Sequence, residues 1–307
     1  MRFLTGAAFC IALGCSTPAS AQDTVPLPVR IEGPAHIRLH ITKTDRRDAG
    51  PEQGAAFTYD VTLSKAQEDT GRREIVWRLT HVDGEGVTPE SSPGPDIRMT
   101  VDETLTPLSL DNLGEIIAST RRQLERSVDL EASGGALRML ASLTPETAAP
   151  LFMADAGMIA VGQGTDLFLG EDSSYEAVGR LPWGGADIIM IGTYRLVEVD
   201  RATGKARLQW SQEIDPDSLM EAIPAMIDGI VADKVKQDDS ADMAAKIRAS
   251  LTNATLRNNR SCDFMIDIAT GLAEKVDCLT LVEFVAGEET SRRETRLIAT
   301  QVLTPRS

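Results

Sequence analysis

Aromatic side chains are scarce. Seven Phe, three Tyr and three Trp amount to 4% of 307 residues, too few for the platform of stacked rings that a sugar-binding surface uses. Histidine is scarcer, with only His36, His40 and His81. His36 and His40 share one face of an alternating stretch, but four residues of strand hold them roughly 13 Å apart, too far for one metal ion to take both. They read as solvent-facing strand residues, and no metal or cofactor is expected. No serine sits in a G-x-S-x-G elbow, and no calcium loop of D-x-D-x-D-G form is present. "GQGTD" at Gly162–Asp166 and "PWGGAD" at Pro182–Asp187 lack the strand–glycine–helix context that phosphate binding needs, and read as turns. Positive charge is also short: 31 basic residues face 46 acidic ones, a formal charge of −15. Such a chain repels phosphate backbones, which excludes nucleic acid as a partner.

Carboxylates are plentiful, but adjacent pairs such as Glu288-Glu289 are expected by chance and read as solvated faces. Asp69-Thr70-Gly71 has the triplet of aspartic proteases. Those enzymes need two such aspartates sharing a proton. Here charged residues flank the triplet, and the related stretch further on carries Ala202 in place of the aspartate. The triplet is therefore a hairpin tip. With no assembled constellation, the protein is not expected to be an enzyme.

The N-terminus gives an address. Arg2 precedes the apolar stretch "FLTGAAFCIALGC", and Ala19-Ser20-Ala21 has the small-x-small form of a signal-peptidase site, so cleavage is expected after Ala21 and export to the periplasm follows. The stretch is shorter than the ~20 residues a membrane helix needs. Lipidation at Cys15 is the alternative, although Ala12 stands where a lipoprotein box has Leu. No later segment is long and apolar enough to cross a membrane as a helix, so a soluble mature chain is expected. Its length suffices for one large or two small cores.

Two stretches match. "LSKAQEDTGRREIVW" (Leu63–Trp77) and "LVEVDRATGKARLQW" (Leu196–Trp210) both centre on Thr-Gly, at an offset of 133 residues. Around them apolar residues alternate, as in half-buried strands: Ile37, Leu39 and Ile41; Phe57, Tyr59, Val61 and Leu63; Ile75, Trp77 and Leu79. Three-residue loops at Asp69-Thr70-Gly71 and Ala202-Thr203-Gly204 would set Leu63 across from Trp77 and Leu196 across from Trp210. A further hairpin follows each copy, at 97–110 and 262–284. The pattern reads as an internal duplication. The alternative is coincidence, because hairpin chemistry alone recruits glycine here.

Helical patterns lie between and within the units. Leu113, Ile116, Ile117, Leu124 and Val128 form one stripe; Thr144 caps another helix before Pro145. Asp215 is an N-cap with Pro216 at the first helical position, and Leu219, Ile223, Met226, Ile227 and Ile230 continue as an apolar stripe. A last helix is expected near "SADMAAKIRASL". The fold class is therefore α+β: mostly antiparallel curved β-sheets from two related hairpin-rich units, with amphipathic helices packed on them. The expected division is a signal peptide (1–21), an extended segment (22–34), a first β unit (35–111), a helical connector (112–157) and a second β unit (158–307) with a helical insertion at 215–252.

Cys262 and Cys278 are the only cysteines left after cleavage, and the exported compartment is oxidising. A hairpin turning at Ala269-Thr270-Gly271 places them directly opposite each other. It also gathers Cys262, Phe264, Ile266, Ile268, Leu272 and Val276 on one face, with Glu274 the one misfit. A disulfide is expected; two buried free thiols are the alternative.

The order of features, a Tyr strand, a polar turn, a Trp strand and a closing D-x-x-T-G-L hairpin at Asp267–Leu272, resembles a family of uncharacterised secreted bacterial β-rich proteins. That resemblance implies export and a β-rich fold and brings no catalytic residues. A second likeness is to periplasmic lipoprotein-carrier half-barrels, where sheet and lid helices enclose acyl chains. It implies a small apolar ligand beneath a lid carried by Leu219, Ile223, Met226, Ile227 and Ile230; the plainer reading is that these residues complete the core. The expected function is thus a non-enzymatic periplasmic protein binding a ligand or an envelope partner. The alternatives are a carrier of an apolar or lipid ligand and a structural or interaction module of the envelope.

Overall fold

Alternation of apolar and polar residues at period two makes half-buried strands, and most of the described residues lie in such strands. The computed structural model describes residues 24–27, 29–31, 33–84, 94–127, 143–152, 159–161, 167–180, 187–222, 255–286 and 289–305. The first half supplies β1 (Thr24–Val25), β2 (Ala35–Arg47), β3 (Gln53–Leu63), β4 (Arg73–Gly84), β5 (Ile97–Val101) and β6 (Pro107–Leu110), then α1 (Leu113–Ser127) and α2 (Pro145–Phe152). The second half supplies β7 (Leu167–Phe168), β8 (Asp172–Arg180), β9 (Asp187–Asp200), β10 (Lys205–Ile214), β11 (Thr255–Asp267), β12 (Ala273–Ala286) and β13 (Glu289–Pro305). A further helix begins at Pro216 and is described to residue 222.

Eleven strands form one antiparallel sheet in the order β6-β5-β4-β3-β2-β13-β12-β11-β10-β9-β8. It consists of two meanders, β2–β6 and β8–β13, joined where the last strand pairs with β2. Strands β1 and β7 make a small second sheet.

The turns correct the expected register. Trp77 lies across from Val61, and Leu63 from Ile75; Trp210 lies across from Tyr194, and Leu196 from Leu208. Both hairpins are shifted by two residues, so the faces survive and the opposed pairs do not. The reason is the loop. Instead of three residues, four lie between closing residues: Gln67 and Arg72, Asp200 and Lys205, Asp267 and Leu272. In each, the first closing side chain accepts the threonine hydroxyl: Gln67 from Thr70, Asp200 from Thr203, Asp267 from Thr270. The following glycine takes a positive φ of 67–72° at Gly71, Gly204 and Gly271, where a Cβ would be strained.

The third hairpin keeps its expected pairing at the cysteines. Cys262 opposes Cys278, and the two are bonded, with Cα atoms 4.0 Å apart. Its loop too is one residue longer than expected, and a β-bulge between Lys275 and Ala273 absorbs the extra residue. The bulge explains Glu274: it leaves the apolar face and reaches Lys205 Nζ at 2.6 Å.

One face of the sheet is the core. Ile37, Val61, Met99, Leu196, Leu208, Phe264 and Ile266 are each fully buried there. Val25, Leu27 and Ile31 of the N-terminal segment, Leu113 and Ile116 of α1, and Ala148 and Ala149 of α2 complete the same cluster. Burying each large aliphatic side chain stabilises by about 1.5–3 kcal/mol. Arg73 Nη2 donates to the Ile31 carbonyl and pins the N-terminal segment to this face. The caps are as expected: Thr144 Oγ1 accepts the Thr147 N–H at 3.3 Å, and the Asp215 carboxylate accepts the Ser218 N–H at 2.8 Å. Asn112 adds a tie, accepting the Arg98 N–H and donating to the Asp96 carbonyl between β5 and the start of α1.

The other face is polar and laced with ion pairs. Asp45, Asp96 and Asp277 are held below the ordinary carboxylate range, first by hydrogen bonds from Arg293, Arg78 and Arg296 respectively. A carboxyl depressed in the folded state contributes stability that is present above its unfolded value and lost as pH falls through the folded one. Chemical denaturation between neutral and acid pH should therefore show a plateau, then a falling midpoint below about pH 4. A midpoint that rises on acidification would contradict this assignment.

The signal peptide, its cleavage after Ala21, Cys15, the helix near 240–251, and the "GQGTD" and "PWGGAD" glycines lie outside the described residues.

Candidate functional site

Aromatic rings, few as they are, gather at two places on the apolar face: Phe57, Tyr59 and Trp77 in the first meander, and a second group around β9. Strand β9 carries Gly192 and Tyr194 on that face; their neighbours are Tyr175 on β8 and Gln212 and Trp210 on β10. Gly192 opposes Tyr175, and a Cβ at Gly192 would collide with that ring. The missing side chain lets Tyr175 lie across the strand and stack on Tyr194, with ring centroids 5.3 Å apart. The Tyr175 hydroxyl accepts the Trp210 indole N–H at 2.9 Å and the Gln212 amide at 3.3 Å. Arg260, on β11, places its guanidinium 5.9 Å from the Trp210 ring centroid, a cation–π distance. Burial, followed by the neighbouring Tyr175 hydroxyl, pushes the Tyr194 phenol above its ordinary range, so it stays a neutral hydroxyl at physiological pH.

The rings are half-buried. They border the main core on one side. Further along the same strands a separate small cluster begins, in which Ile188, Leu219 and Ala222 are buried with Ile214 and Leu256 against them. A shelf with apolar neighbours on two sides and a few convergent polar groups has the composition of a small-molecule site. Gly192→Ala should displace Tyr175 and cost about 1–3 kcal/mol through overpacking. Urea denaturation followed by Trp fluorescence checks this, and an unchanged midpoint with unchanged emission would contradict it.

The expected lid is described only in its first turn. Leu219 is 3% exposed and seated on Ile188; Ile223, Met226, Ile227 and Ile230 lie outside the described residues. His36 and His40 are on the polar face, His36 near Asp60 at 3.6 Å and His40 bonded to Thr58 at 3.0 Å. Asp69 is at an exposed hairpin tip. Among the described residues no three His, Cys, Asp or Glu side chains are grouped to hold a metal ion, and no helix is long and apolar enough to cross a membrane.

The polar face carries a cleft of about 660 Å³ across β8–β13. Within it Arg195 pairs with Asp172 and Arg296 with Asp277, while Asp263 and Glu294 pair with Arg207 and Arg46 beyond its lining.

The sequence reading missed Tyr175, Tyr194 and Arg260 as a group. The available signal was Gly192 inside "IIMIGTYRL", since a glycine in a strand interior marks a close approach.

No protein-family model and no curated protein matches the chain. Among solved structures, one of lipovitellin, described for its lipid–protein interactions, is similar at a TM-score of 0.43 and 10% identity, over 91% of this chain and 26% of that one. This chain thus spans about a quarter of its length. DynF of the dynemicin biosynthesis pathway of Micromonospora chersina is similar at a TM-score of 0.20 and 8% identity, over 92% and 86% of the two chains. At these scores neither likeness carries an argument about fold or function.

Proposed function

We propose that the protein is an exported, non-enzymatic binding protein that takes a small apolar or lipid-like ligand on the Tyr175–Tyr194–Trp210 shelf. The observation that carries this reading is the shelf itself: half-buried rings between two apolar clusters, with hydrogen-bonding groups at their rim. Export is supported by the signal-like N-terminus and by the Cys262–Cys278 bond, which persists in oxidising compartments. The carrier version keeps the lid stripe expected from the sequence, of which the structure describes only Leu219, packed on Ile188.

The expected division into two β units, 35–111 and 158–307, with a connector at 112–157, belongs to this proposal. An offset of 133 residues carries Val61–Trp77 and Leu63–Ile75 onto Tyr194–Trp210 and Leu196–Leu208. Duplication would have supplied two similar wings, one of which kept a closed core at buried Trp77 while the other left Trp210 half-exposed.

A titration with a fluorescent fatty acid tests the reading. Wild type should bind saturably, and Trp210→Ala should weaken binding about tenfold or more, the loss expected for a buried aromatic anchor. No uptake by wild type, or equal uptake by both, would refute it. A second reading, an interaction module of the envelope, is favoured by the polar cleft across β8–β13; crosslinking in intact cells that captures one partner through that face would support it instead.

A further inference from the structure

Among the described residues only one charged side chain is buried. Arg73 opens β4 on the core face, at 9% exposure. Val101 stands opposite it on β5, and Ile75 follows it on the same face. Ile31 of the N-terminal segment lies against it, its carbonyl accepting a hydrogen bond from Arg73 Nη2. The Nε and Nη1 donors are buried as well, and neither has an acceptor among the described residues. Burial alone acts on this guanidinium and pushes its pKa below the ordinary arginine value. Arg78, Arg293 and Arg296 behave oppositely: each is raised, first by a hydrogen bond to an aspartate. The chain has 46 acidic residues, yet no carboxylate offsets the burial of Arg73.

The hairpin does not need this charge. Arg73 comes three residues after the turn threonine Thr70. At the same distance from Thr203 and Thr270 the other two hairpins carry Ala206 and Ala273, each 1% exposed. Alanine there follows the same kind of turn and keeps the face apolar. Taking a cation out of water is costly unless an anion pairs with it, and each buried donor without an acceptor adds to that cost. The Ile31 carbonyl meets one donor and carries no formal charge.

We propose that Arg73 binds a small monocarboxylate, enclosed between β4, β5 and the N-terminal segment. A carboxylate suits a guanidinium because its planar oxygens meet planar donors. One guanidinium neutralises one negative charge. A dianion would leave an unpaired charge in apolar surroundings, so a monovalent ligand is selected. Arg73 Nη2 already holds the Ile31 carbonyl, so occupancy strengthens the hold on the N-terminal segment. Strands β4 and β5 lie toward one end of the sheet and β8 to β10 at the other. The site is therefore separate from the Tyr175–Trp210 shelf and does not rest on the reading given to it.

Titration of the full protein with labelled acetate, followed by broadening of the acetate NMR signal, tests the proposal. Acetate should bind wild type saturably, and about tenfold or more tighter than sulfate at the same ionic strength. Arg73→Ala, which installs the residue of the other two hairpins, should fold by circular dichroism and lose saturable binding. Arg73→Lys keeps the charge without the planar donors and should weaken binding about tenfold. Acetate should also slow tryptic cleavage after the exposed Arg30 several-fold, in wild type and not in Arg73→Ala. If Arg73→Ala does not fold, Arg73→Lys decides, and acetate binding as tight as in wild type would overturn the proposal. No saturable binding by wild type, binding that survives in folded Arg73→Ala, sulfate binding as tight as acetate, or cleavage after Arg30 unaffected by acetate would each overturn it too.

Discussion

Replacing Cys262 and Cys278 together by alanine should lower the stability of the protein by about 3 kcal/mol. The bond joins directly opposed residues of β11 and β12 with a sequence separation of 16, and the chain-entropy treatment of a loop of about that size yields this figure. Both cysteines are buried on the core face, at 3% and 1% exposure. Alanine therefore leaves no unsatisfied polar group, and the loss reports mainly on the crosslink. Urea denaturation of the oxidised wild type and the double variant measures it. A difference below about 1 kcal/mol would mean that the β11–β12 pairing is as well ordered without the bond, or that the bond is absent from the purified protein. Probing Cys262 and Cys278 for free thiols in the denatured, unreduced protein separates those cases, since the bonded pair has none.

Phe264→Ala should cost about 3–5 kcal/mol, the range for truncating a buried aromatic in a core that cannot collapse. Phe264 is 1% exposed and among the largest fully buried side chains. It lies between Leu208 of β10 and Val276 of β12 on the core face. The ladder bonds on both sides hold the strands apart, so the cavity left by the ring cannot close. Val302→Ala is the control: this side chain is 65% exposed, and its loss should change stability by no more than about 0.5 kcal/mol. Comparable effects at the two positions would contradict the assignment of faces.

The faces were readable because they follow from period two alone. Ile37, Leu39 and Ile41, or Cys262, Phe264 and Ile266, are buried as their alternation requires. The registers were less so. A threonine hydroxyl bonded to Gln67, Asp200 or Asp267 lengthens each turn by one residue, and β-bulges then move the pairing again. At the cysteines the bulge at Glu274 falls between the turn and the pair, so the expected opposition of Cys262 and Cys278 stands although the loop is longer. In the β9–β10 hairpin the longer turn and a bulge after Arg207 shift the pairing before Trp210 is reached, and in the β3–β4 hairpin the pairing is already shifted at Leu63 and Ile75, before Trp77. The single sheet was also hidden, because the pairing of β13 with β2 joins residues some 250 positions apart, and no local pattern announces a contact of that separation. The aromatic shelf has the same cause. Tyr175, Tyr194, Trp210 and Arg260 come from four strands, and only the strand order brings them together.

Native mass spectrometry of the protein purified from its own cells tests the binding reading most directly. Wild type should carry a bound species of lipid-like mass, absent or strongly reduced in Trp210→Ala prepared in the same way. Ligand-free wild type, together with no uptake of added fatty acid, would contradict it.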